Sequence, residues 1–340
     1  MSITIVDIAR RTGVSKSTVS RVIAGTGYTS PETREKVLQA IQELQYKPNA
    51  VARAMVSQRT YNIGVIIYRQ HHPIISHPFY GKILDSILET AEGMNYSVFV
   101  STDKEMSLRS ANYMLEKRVD GLVLISRLNQ EMIGYLDSFH IPYLMVNGTT
   151  ENSSVIQLVN DDRQGGKLAA DHLYGLGHRD IFVIAGPQEH RSHHLRLDSF
   201  CQRLRELNCS VPDERIGYSP TSMFDDGMQS FLVLWERSRI KPTALYATND
   251  MLALGAMRAI MDKGLRVPED ISVIGSDNID FTALSNPPLT TIHIEKEKMG
   301  HDSVNLLHRL IHKEVLEQTR IDYEPKLIIR SSTGPARRSE

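Results

Sequence analysis

Three polar residues come directly after short apolar runs of the kind that form buried strands. These residues are Asn147, Asn249 and Asp277. Because the ligands of open parallel sheets bind outside the carboxyl ends of the strands, we expect the three side chains to line one crevice. Each amide or carboxylate can bond two adjacent hydroxyl groups of a polyol, and the Arg196 side chain could donate from the other side. The arrangement predicts a binding site for a small polar molecule.

A second set of polar residues lies on a short helix near the N-terminus. The start and outer face of this helix carry Lys16, Ser17 and Arg21. A helix-turn-helix inserts its second helix into the major groove of DNA, where Lys and Arg can donate to guanine O6 and N7. We therefore expect these three residues to contact bases. Contacts to phosphates, which set the register without reading sequence, are expected from Thr4, Ser15, Thr18, Ser20, Tyr28 and Thr33.

Three short helices are predicted to position these side chains. Thr4 and Asp7 have the layout of a capping box that starts the first helix, which runs to about residue 11. Ser15 caps the second helix, which ends at Gly25, and the third begins at residues 30–31 with a serine cap followed by proline. The apolar residues expected to form one small core are Ile5, Ile8, Ala9, Val19, Val22, Ile23, Val37, Ile41 and Leu44.

The charge of the chain is divided unevenly along its length. The net charge of the whole chain is -1, but residues 1–60 hold nine basic and four acidic side chains, a net charge of +5. The remainder carries a net charge of -6. A small basic segment joined to an acidic body favours a polyanion partner for that segment alone.

From residue 62 onward the pattern changes to short apolar runs that alternate with amphipathic helices. Runs at residues 63–67, 121–125 and 181–184 are typical of strands covered by helices on both faces. About 280 residues of this pattern are enough for two such lobes. We predict a helix-turn-helix domain over residues 1–46, a linker over 47–60, a two-lobed domain over 61–334 and a basic tail over 335–340.

Ten segments, distributed in order along the chain, resemble the landmarks of the LacI/GalR family of repressors. They are residues 4–9 (TIVDIA), 13–15 (GVS), 18–22 (TVSRV), 33–37 (TREKV), 46–53 (YKPNAVAR), 119–121 (VDG), 175–179 (GLGHR), 248–250 (TND), 268–275 (PEDISVIG) and 288–292 (PLTTI). The resemblance implies an all-α helix-turn-helix head and an α/β effector domain like a periplasmic binding protein, with two doubly wound parallel sheets. It also implies that Lys16, Ser17 and Arg21 occupy the positions of DNA specificity.

The linker gains a role from the same resemblance. The family implies that it folds into a helix in the DNA minor groove and wedges a side chain between base pairs. That position is Met55 here, where the family usually has leucine, and methionine can also unstack a base step. The DNA contacts expected from this segment are Asn49, Ala52, Arg53 and Met55.

For the effector site, the resemblance maps the contacting arginine, asparagine and aspartate to Arg196, Asn249 and Asp277. A first-lobe contact loop is expected at residues 76–80, where Phe79 or Tyr80 could stack on an apolar sugar face. Asp250 is expected to cap a helix instead of binding the effector.

Two departures from the family affect this pocket. Ser199 replaces a glycine usual near the arginine, and an acidic residue often found near Asn147 is absent. His190, His193 and His194 invite a metal hypothesis, but we predict no metal and no cofactor. Because these histidines can carry positive charge, an anionic effector remains an alternative.

These features predict a transcription repressor of carbohydrate uptake or catabolism genes that a small sugar-type effector releases from its operator. The alternative is a family member controlled by a partner protein or by a purine or anionic co-repressor. We expect a homodimer on a near-palindromic operator. An enzyme is not expected, because the chain has neither a dinucleotide fingerprint, nor a nucleophile elbow, nor a phosphate loop. Without a signal-peptide layout at the N-terminus, we expect a cytoplasmic bacterial protein, associated with the nucleoid when bound to DNA, and not a transporter's solute-binding protein.

Overall fold

The computed structural model describes residues 3–24, 27–46, 59–68, 77–103, 108–126, 130–150 and 152–337. The predicted minor-groove contacts Asn49, Ala52, Arg53 and Met55 lie outside these residues. The chain divides into two compact units, Met1–Asn62 with Arg118–Asp120, and Ile63–Lys117 with Gly121–Glu340. In the described parts of both units, no helix is long and apolar enough to cross a membrane.

The first unit contains the three predicted helices, α1 (Ile5–Thr12), α2 (Lys16–Ala24) and α3 (Pro31–Glu43). The Asp7 carboxylate accepts hydrogen bonds from the amide (2.9 Å) and the hydroxyl (2.7 Å) of Thr4 at the start of α1. Gly13 ends α1 with a φ of +71°, a conformation that glycine adopts without strain. The buried core of this unit is Ile8, Ala9, Val19, Val22, Val37, Ala40 and Tyr46.

The second unit begins with a lobe built on a six-stranded sheet, called lobe one here. Its strands are β1 (Asn62–Tyr68), β2 (Ser97–Asp103), β3 (Gly121–Ile125), β4 (Tyr143–Val146), β5 (Ile156–Asn160) and β11 (Arg320–Tyr323), in the order β11-β5-β4-β3-β1-β2. Its helices are α4 (Pro78–Gly93), α5 (Leu108–Glu116), α6 (Gln130–Ser138) and α12 (Lys296–Ile311). Every residue of β3, β4 and β5 is buried, as expected of parallel strands with helices on both faces.

Lobe two repeats this plan with a second six-stranded sheet. Its strands are β6 (Ile181–Ala185), β7 (Ile216–Tyr218), β8 (Ala244–Ala247), β9 (Ser272–Asp277), β10 (Thr290–His293) and β12 (Lys326–Ile328), in the order β12-β10-β9-β8-β6-β7. Only β12 is antiparallel to its neighbour. Its helices are α7 (Asp162–Gly175), α8 (Arg191–Glu206), α9 (Phe224–Arg237), α10 (Asp250–Asp262) and α11 (Phe281–Leu284), with a 3-10 turn at Asp213–Arg215.

The chain passes between the two lobes three times. The crossings join β5 to α7, β10 to α12 and β11 to β12. Each crossing starts or ends at the carboxyl edge of a strand, where a ligand of such a fold binds. Residues in the crossings therefore lie beside the crevice and also set the geometry between the lobes.

Candidate functional site

Arg196 on α8 is the centre of a buried ionic cluster. Its Nε donates to Asp162 Oδ1 (2.9 Å), and its Nη1 donates to Asp277 Oδ1 (2.8 Å) and to the carbonyl oxygen of Thr248 (2.8 Å). The three charged side chains are each less than a tenth exposed. Burial by itself lowers the pKa of Arg196, but the two carboxylates outweigh this effect and raise it. The guanidinium is thus fixed in place and fully charged.

Close packing of α7 against α8 brings Asp162 to Arg196. Gly166 on α7 makes this possible, because a Cβ there would overlap the carbonyl oxygen of Arg196 and Oγ of Ser199. Ser199 itself donates to the Leu195 carbonyl (2.7 Å). The serine that replaces the family's usual glycine therefore lies at a helix contact, where its hydroxyl is satisfied within its own helix.

Asp277 is held in a left-handed conformation at the end of β9, with a φ of +116°. The buried ammonium of Lys296 donates to the Asp277 carbonyl and also to the carbonyls of Asn278 (3.3 Å) and Ile294 (3.1 Å). Burial lowers the pKa of Lys296, although Asp277 opposes this effect. Lys296 satisfies its three donors on backbone carbonyls and so fixes the strained loop against the second crossing.

The structure assigns the helix cap to Asn249 and not to Asp250, so the prediction that Asp250 caps α10 is wrong. The Asn249 Oδ1 accepts from the Leu252 amide (2.9 Å), and its Nδ2 donates to the Ser222 carbonyl (3.0 Å). Asp250 instead accepts from the Ile279 amide (2.9 Å) and from the Thr291 hydroxyl (2.5 Å). Asp250 is the first residue of α10, and its carboxyl group contacts the loop that follows β9 and the side chain of Thr291 on β10.

On the lobe-one side, Tyr80 is the aromatic residue that reaches the cluster. Its hydroxyl lies 3.4 Å from His190 Nε2 of lobe two, and burial raises its pKa while hydrogen bonds to Ser126 and Asn147 oppose the rise. Asn147 follows β4 with a φ of +54°. Phe79, by contrast, lies in the hydrophobic core of lobe one.

His193 connects the cluster to a neighbouring cavity of about 300 Å³. Its Nδ1 lies 2.7 Å from the Thr248 hydroxyl and its Nε2 lies 2.7 Å from the Ser222 hydroxyl. Gln188, His194 and Tyr218 also line the cavity. The ring of His193 thus bridges the hydroxyl groups of Thr248, which follows β8, and Ser222, which lies shortly before α9.

Of the predicted effector residues, Arg196, Asp277, Asn147 and Tyr80 interact through this one cluster. Sequence reasoning missed Asp162 and Lys296. Asp162 follows a buried strand by two residues, so the strand-end rule that selected Asp277 could have found it. Nothing in the sequence distinguishes Lys296, which lies in an alternating run of Glu and Lys at residues 295–298.

The predicted DNA contacts of the first unit lie on the surface around α2. The side chains of Lys16, Ser17 and Arg21 are exposed. Ser15 accepts from the Thr18 amide (3.1 Å), and its hydroxyl lies 2.7 Å from that of Ser17. Tyr28 is 86% exposed, whereas Ser30 caps α3 and accepts from the Thr33 amide (3.3 Å). Basic and hydroxyl groups are therefore clustered at the start of a helix that has no acidic residue in its first turn.

Two family models match the chain. "Bacterial regulatory proteins, lacI family" matches residues 4–49, and "Periplasmic binding protein-like domain" matches residues 170–333. Among curated relatives, the HTH-type transcriptional repressor PurR of Haemophilus influenzae is 37% identical over 341 residues, covering 97% of this chain and 98% of the relative. The repressor PurR of Pasteurella multocida is 34% identical over 336 residues, with the same coverage of 97% and 98%.

Solved structures of transcription regulators are similar to this chain over nearly its whole length. A lac repressor dimer bound to operator and the anti-inducer ONPF has a TM-score of 0.86 and 29% identity, covering 98% of this chain and 100% of that chain. A complex of the transcriptional regulator CelR with cellobiose has a TM-score of 0.73 and 29% identity, covering 97% and 99%.

The relatives and the fold together define a ligand-responsive DNA-binding transcriptional repressor, a class of protein that is not an enzyme. The chain belongs to the lacI family of bacterial regulatory proteins.

Proposed function

We propose that this protein is a transcriptional repressor whose operator binding is strengthened by a purine base. The observation that carries the proposal is the similarity to purine-responsive PurR repressors, at 37% identity over nearly the whole of both chains. Identity to the lac repressor and to CelR is 29%. The comparisons therefore favour the purine co-repressor, first considered as the alternative, over the sugar inducer.

The chemistry of the cluster fits a purine base. A base is flat, so Tyr80 can lie against its face while charged groups meet its edge. The Asp277 carboxylate can accept from a ring N–H. Three of the five N–H groups of Arg196 are bonded to the protein, and we assign its Nη2 donors to a ring carbonyl.

The charge of the cluster disfavours an anionic effector. Its buried acidic side chains are Asp162, Asp250 and Asp277, and its buried basic side chains are Arg196, Lys296 and His193, with the partly exposed Arg191 at 3.8 Å from Asp162. The three carboxyl groups are thus already matched by Arg196, Lys296 and, at the edge of the cluster, Arg191. A sugar acid or a sugar phosphate would add negative charge beside these carboxylates, and water could not screen the repulsion there.

A thermal-shift comparison tests the effector. Hypoxanthine and guanine are expected to raise the melting temperature, whereas ribose, cellobiose and glucose 6-phosphate are not. A ligand present at one hundred times its dissociation constant adds about 2.7 kcal/mol to the stability of the folded protein. A shift with a sugar and none with either purine would contradict the proposal, and no shift with any of them would favour a partner protein.

Operator binding gives the sign of the response. DNA fragments selected from the genome by the purified protein serve as probes, in the presence and absence of hypoxanthine. A co-repressor is expected to tighten binding, because it favours the arrangement of the lobes that binds DNA. Looser binding in hypoxanthine would identify an inducer.

The DNA-contact part of the proposal is a homodimer whose paired helices α2 read two half-sites. Arg21→Ala is expected to weaken operator binding by about tenfold to a hundredfold and to relax preference at one base pair of each half-site. Folding should be unaffected, because Arg21 is exposed. Lys36→Ala removes another exposed positive charge, from α3, and is the control for nonspecific attraction. Equal losses in the two variants would argue against base reading by Arg21.

A further inference from the structure

The last residue of β5, Asn160, carries a buried acceptor next to the ionic cluster. Asn160 is 4% exposed, and its Nδ2 donates to Asp162 Oδ1 at 3.1 Å. Among the residues that the structure describes, its Oδ1 is a buried oxygen with no hydrogen-bond partner. A buried polar atom in this condition costs free energy, so a partner outside the chain is expected.

The orientation of the Asn160 amide follows from its neighbour. The Asp162 carboxylate can only accept, and the same Oδ1 already takes the Nε–H of Arg196 at 2.9 Å. Rotating the amide would place two acceptor oxygens against each other. Nδ2 must therefore face Asp162, and Oδ1 must face away from it, at the carboxyl edge of β5 beside the first crossing.

We infer that Asn160 is an effector-binding residue whose Oδ1 accepts a hydrogen bond from a ring N–H of the purine. The inference rests on the proposed function. It adds an acceptor from lobe one to the acceptor that Asp277 supplies from lobe two, so that a bound base with two N–H groups is held by both lobes. Asn160 thereby selects a ligand with a donor at that edge and rejects one that lacks it.

The test compares four ligands on two proteins. Hypoxanthine and its 1-methyl, 7-methyl and 9-methyl derivatives are titrated by calorimetry into the full-length chain and into Asn160→Ala. The derivative methylated at the N–H that Asn160 accepts is expected to bind the unaltered chain about tenfold to a hundredfold more weakly than hypoxanthine. The derivative methylated at the N–H that Asp277 accepts is expected to be weakened in both proteins alike. Asn160→Ala is expected to bind hypoxanthine more weakly than the unaltered chain by a similar factor. The variant should bind hypoxanthine and the derivative methylated at the N–H that Asn160 accepts with equal affinity.

The outcomes separate this role from a structural one. If Asn160 only positioned Asp162, the variant would bind all four ligands more weakly by one common factor, and the inference would be overturned. The unaltered chain provides a second measurement that needs no variant, since equal binding of all four ligands would also overturn it. If none of the four binds, the proposed function fails together with the inference.

Gln157, on the same strand, is the matched control. Its buried amide is satisfied at both ends, because Oε1 accepts from the Thr150 amide (3.1 Å) and Nε2 donates to the Thr150 carbonyl (3.2 Å). Gln157→Leu is expected to lower stability and to leave the ranking of the four ligands unchanged. A changed ranking would show that any disturbance of β5 alters selectivity, contrary to a specific contact by Asn160.

Discussion

Arg196→Met is expected to lower the free energy of unfolding by about 3 to 5 kcal/mol, the usual cost of removing one partner from a buried ion pair. The large effect follows from what remains, since Asp162 and Asp277 would both stay buried without their shared cation. Methionine fills a similar volume but donates no hydrogen bond. Urea unfolding of the variant and of the unaltered chain measures the difference.

The deficit of Arg196→Met is also expected to depend on pH. Burial raises the pKa of Asp277, and Arg196 opposes that rise. Without Arg196 the carboxyl takes up a proton more readily, and a protonated carboxyl needs no cation. The difference in stability should therefore shrink as the pH falls and grow as it rises.

Arg203→Met is the control for this prediction. Arg203 lies on the same helix and pairs with Asp171 (2.7 Å) and Glu206 (3.1 Å), but its side chain is 33% exposed. Solvent-exposed pairs contribute little to stability, so Arg203→Met is expected to lose much less stability than Arg196→Met. If Arg196→Met lost no more stability than Arg203→Met, the cluster would be accessible to water and the charge argument against anionic effectors would fail.

The ionic cluster also links two of the three crossings. Asp162 belongs to the first crossing and Lys296 to the second, and Arg196 and Asp277 connect them. A ligand that changes the contacts of Asp277 therefore acts on both crossings. This arrangement gives a physical route from effector binding to the relative position of the lobes.

The elements of this fold were predictable because their sequence patterns are local. The apolar runs at residues 121–125 and 181–184 became fully buried strands β3 and β6, as continuous apolar runs between helices require. The capping signals at Thr4, Ser15 and Ser30 also operate within a few residues. Each of these patterns is decided by near neighbours along the chain, so the sequence contains the necessary information.

The site was only partly predictable, because its residues meet across long separations in the sequence. Asp277 was selected because it follows an apolar run, and the family resemblance assigned the effector contacts to Arg196 and Asp277. Lys296 was not, since an alternating run of charges is typical of a solvated surface, yet this lysine is 2% exposed. The order of Asn249 and Asp250 was misjudged because the start of α10 can be shifted by one residue without changing its apolar pattern.

Asp250→Asn is expected to raise the free energy of unfolding, whereas Arg196→Met is expected to lower it. Burial and the negative charge of Asp277 raise the pKa of the Asp250 carboxyl from 3.8 to about 8. A carboxyl with a raised pKa in the folded protein binds its proton more tightly there than in the unfolded chain. Its contribution to stability is therefore complete at low pH and is lost as the pH rises towards 8.

Asparagine has the shape of a protonated aspartic acid and cannot ionise. Its oxygen can accept from the Ile279 amide, and its amino group can donate to the Thr291 hydroxyl in place of the present contacts. At about pH 8.5 the variant is expected to be more stable than the unaltered chain by about 1 kcal/mol or more, because ionising the buried carboxyl costs free energy and asparagine cannot ionise. The difference in stability is expected to be smallest at about pH 4, near the ordinary pKa of the carboxyl, and to grow as the pH rises from there towards 8.

Urea unfolding of the variant and of the unaltered chain across this pH range measures how the stability of each protein depends on pH. Asp262→Asn is the control. Asp262 lies on the same helix, is 48% exposed and pairs with Arg258 at 2.8 Å. Its replacement should change stability by less than about 1 kcal/mol at any pH in the range. Parallel profiles for Asp250→Asn and the unaltered chain would mean that Asp250 is ionised throughout. In that case the buried carboxylates Asp162, Asp250 and Asp277 would outnumber the buried cations Arg196 and Lys296, and their charge would be balanced by Arg191 at the edge of the cluster.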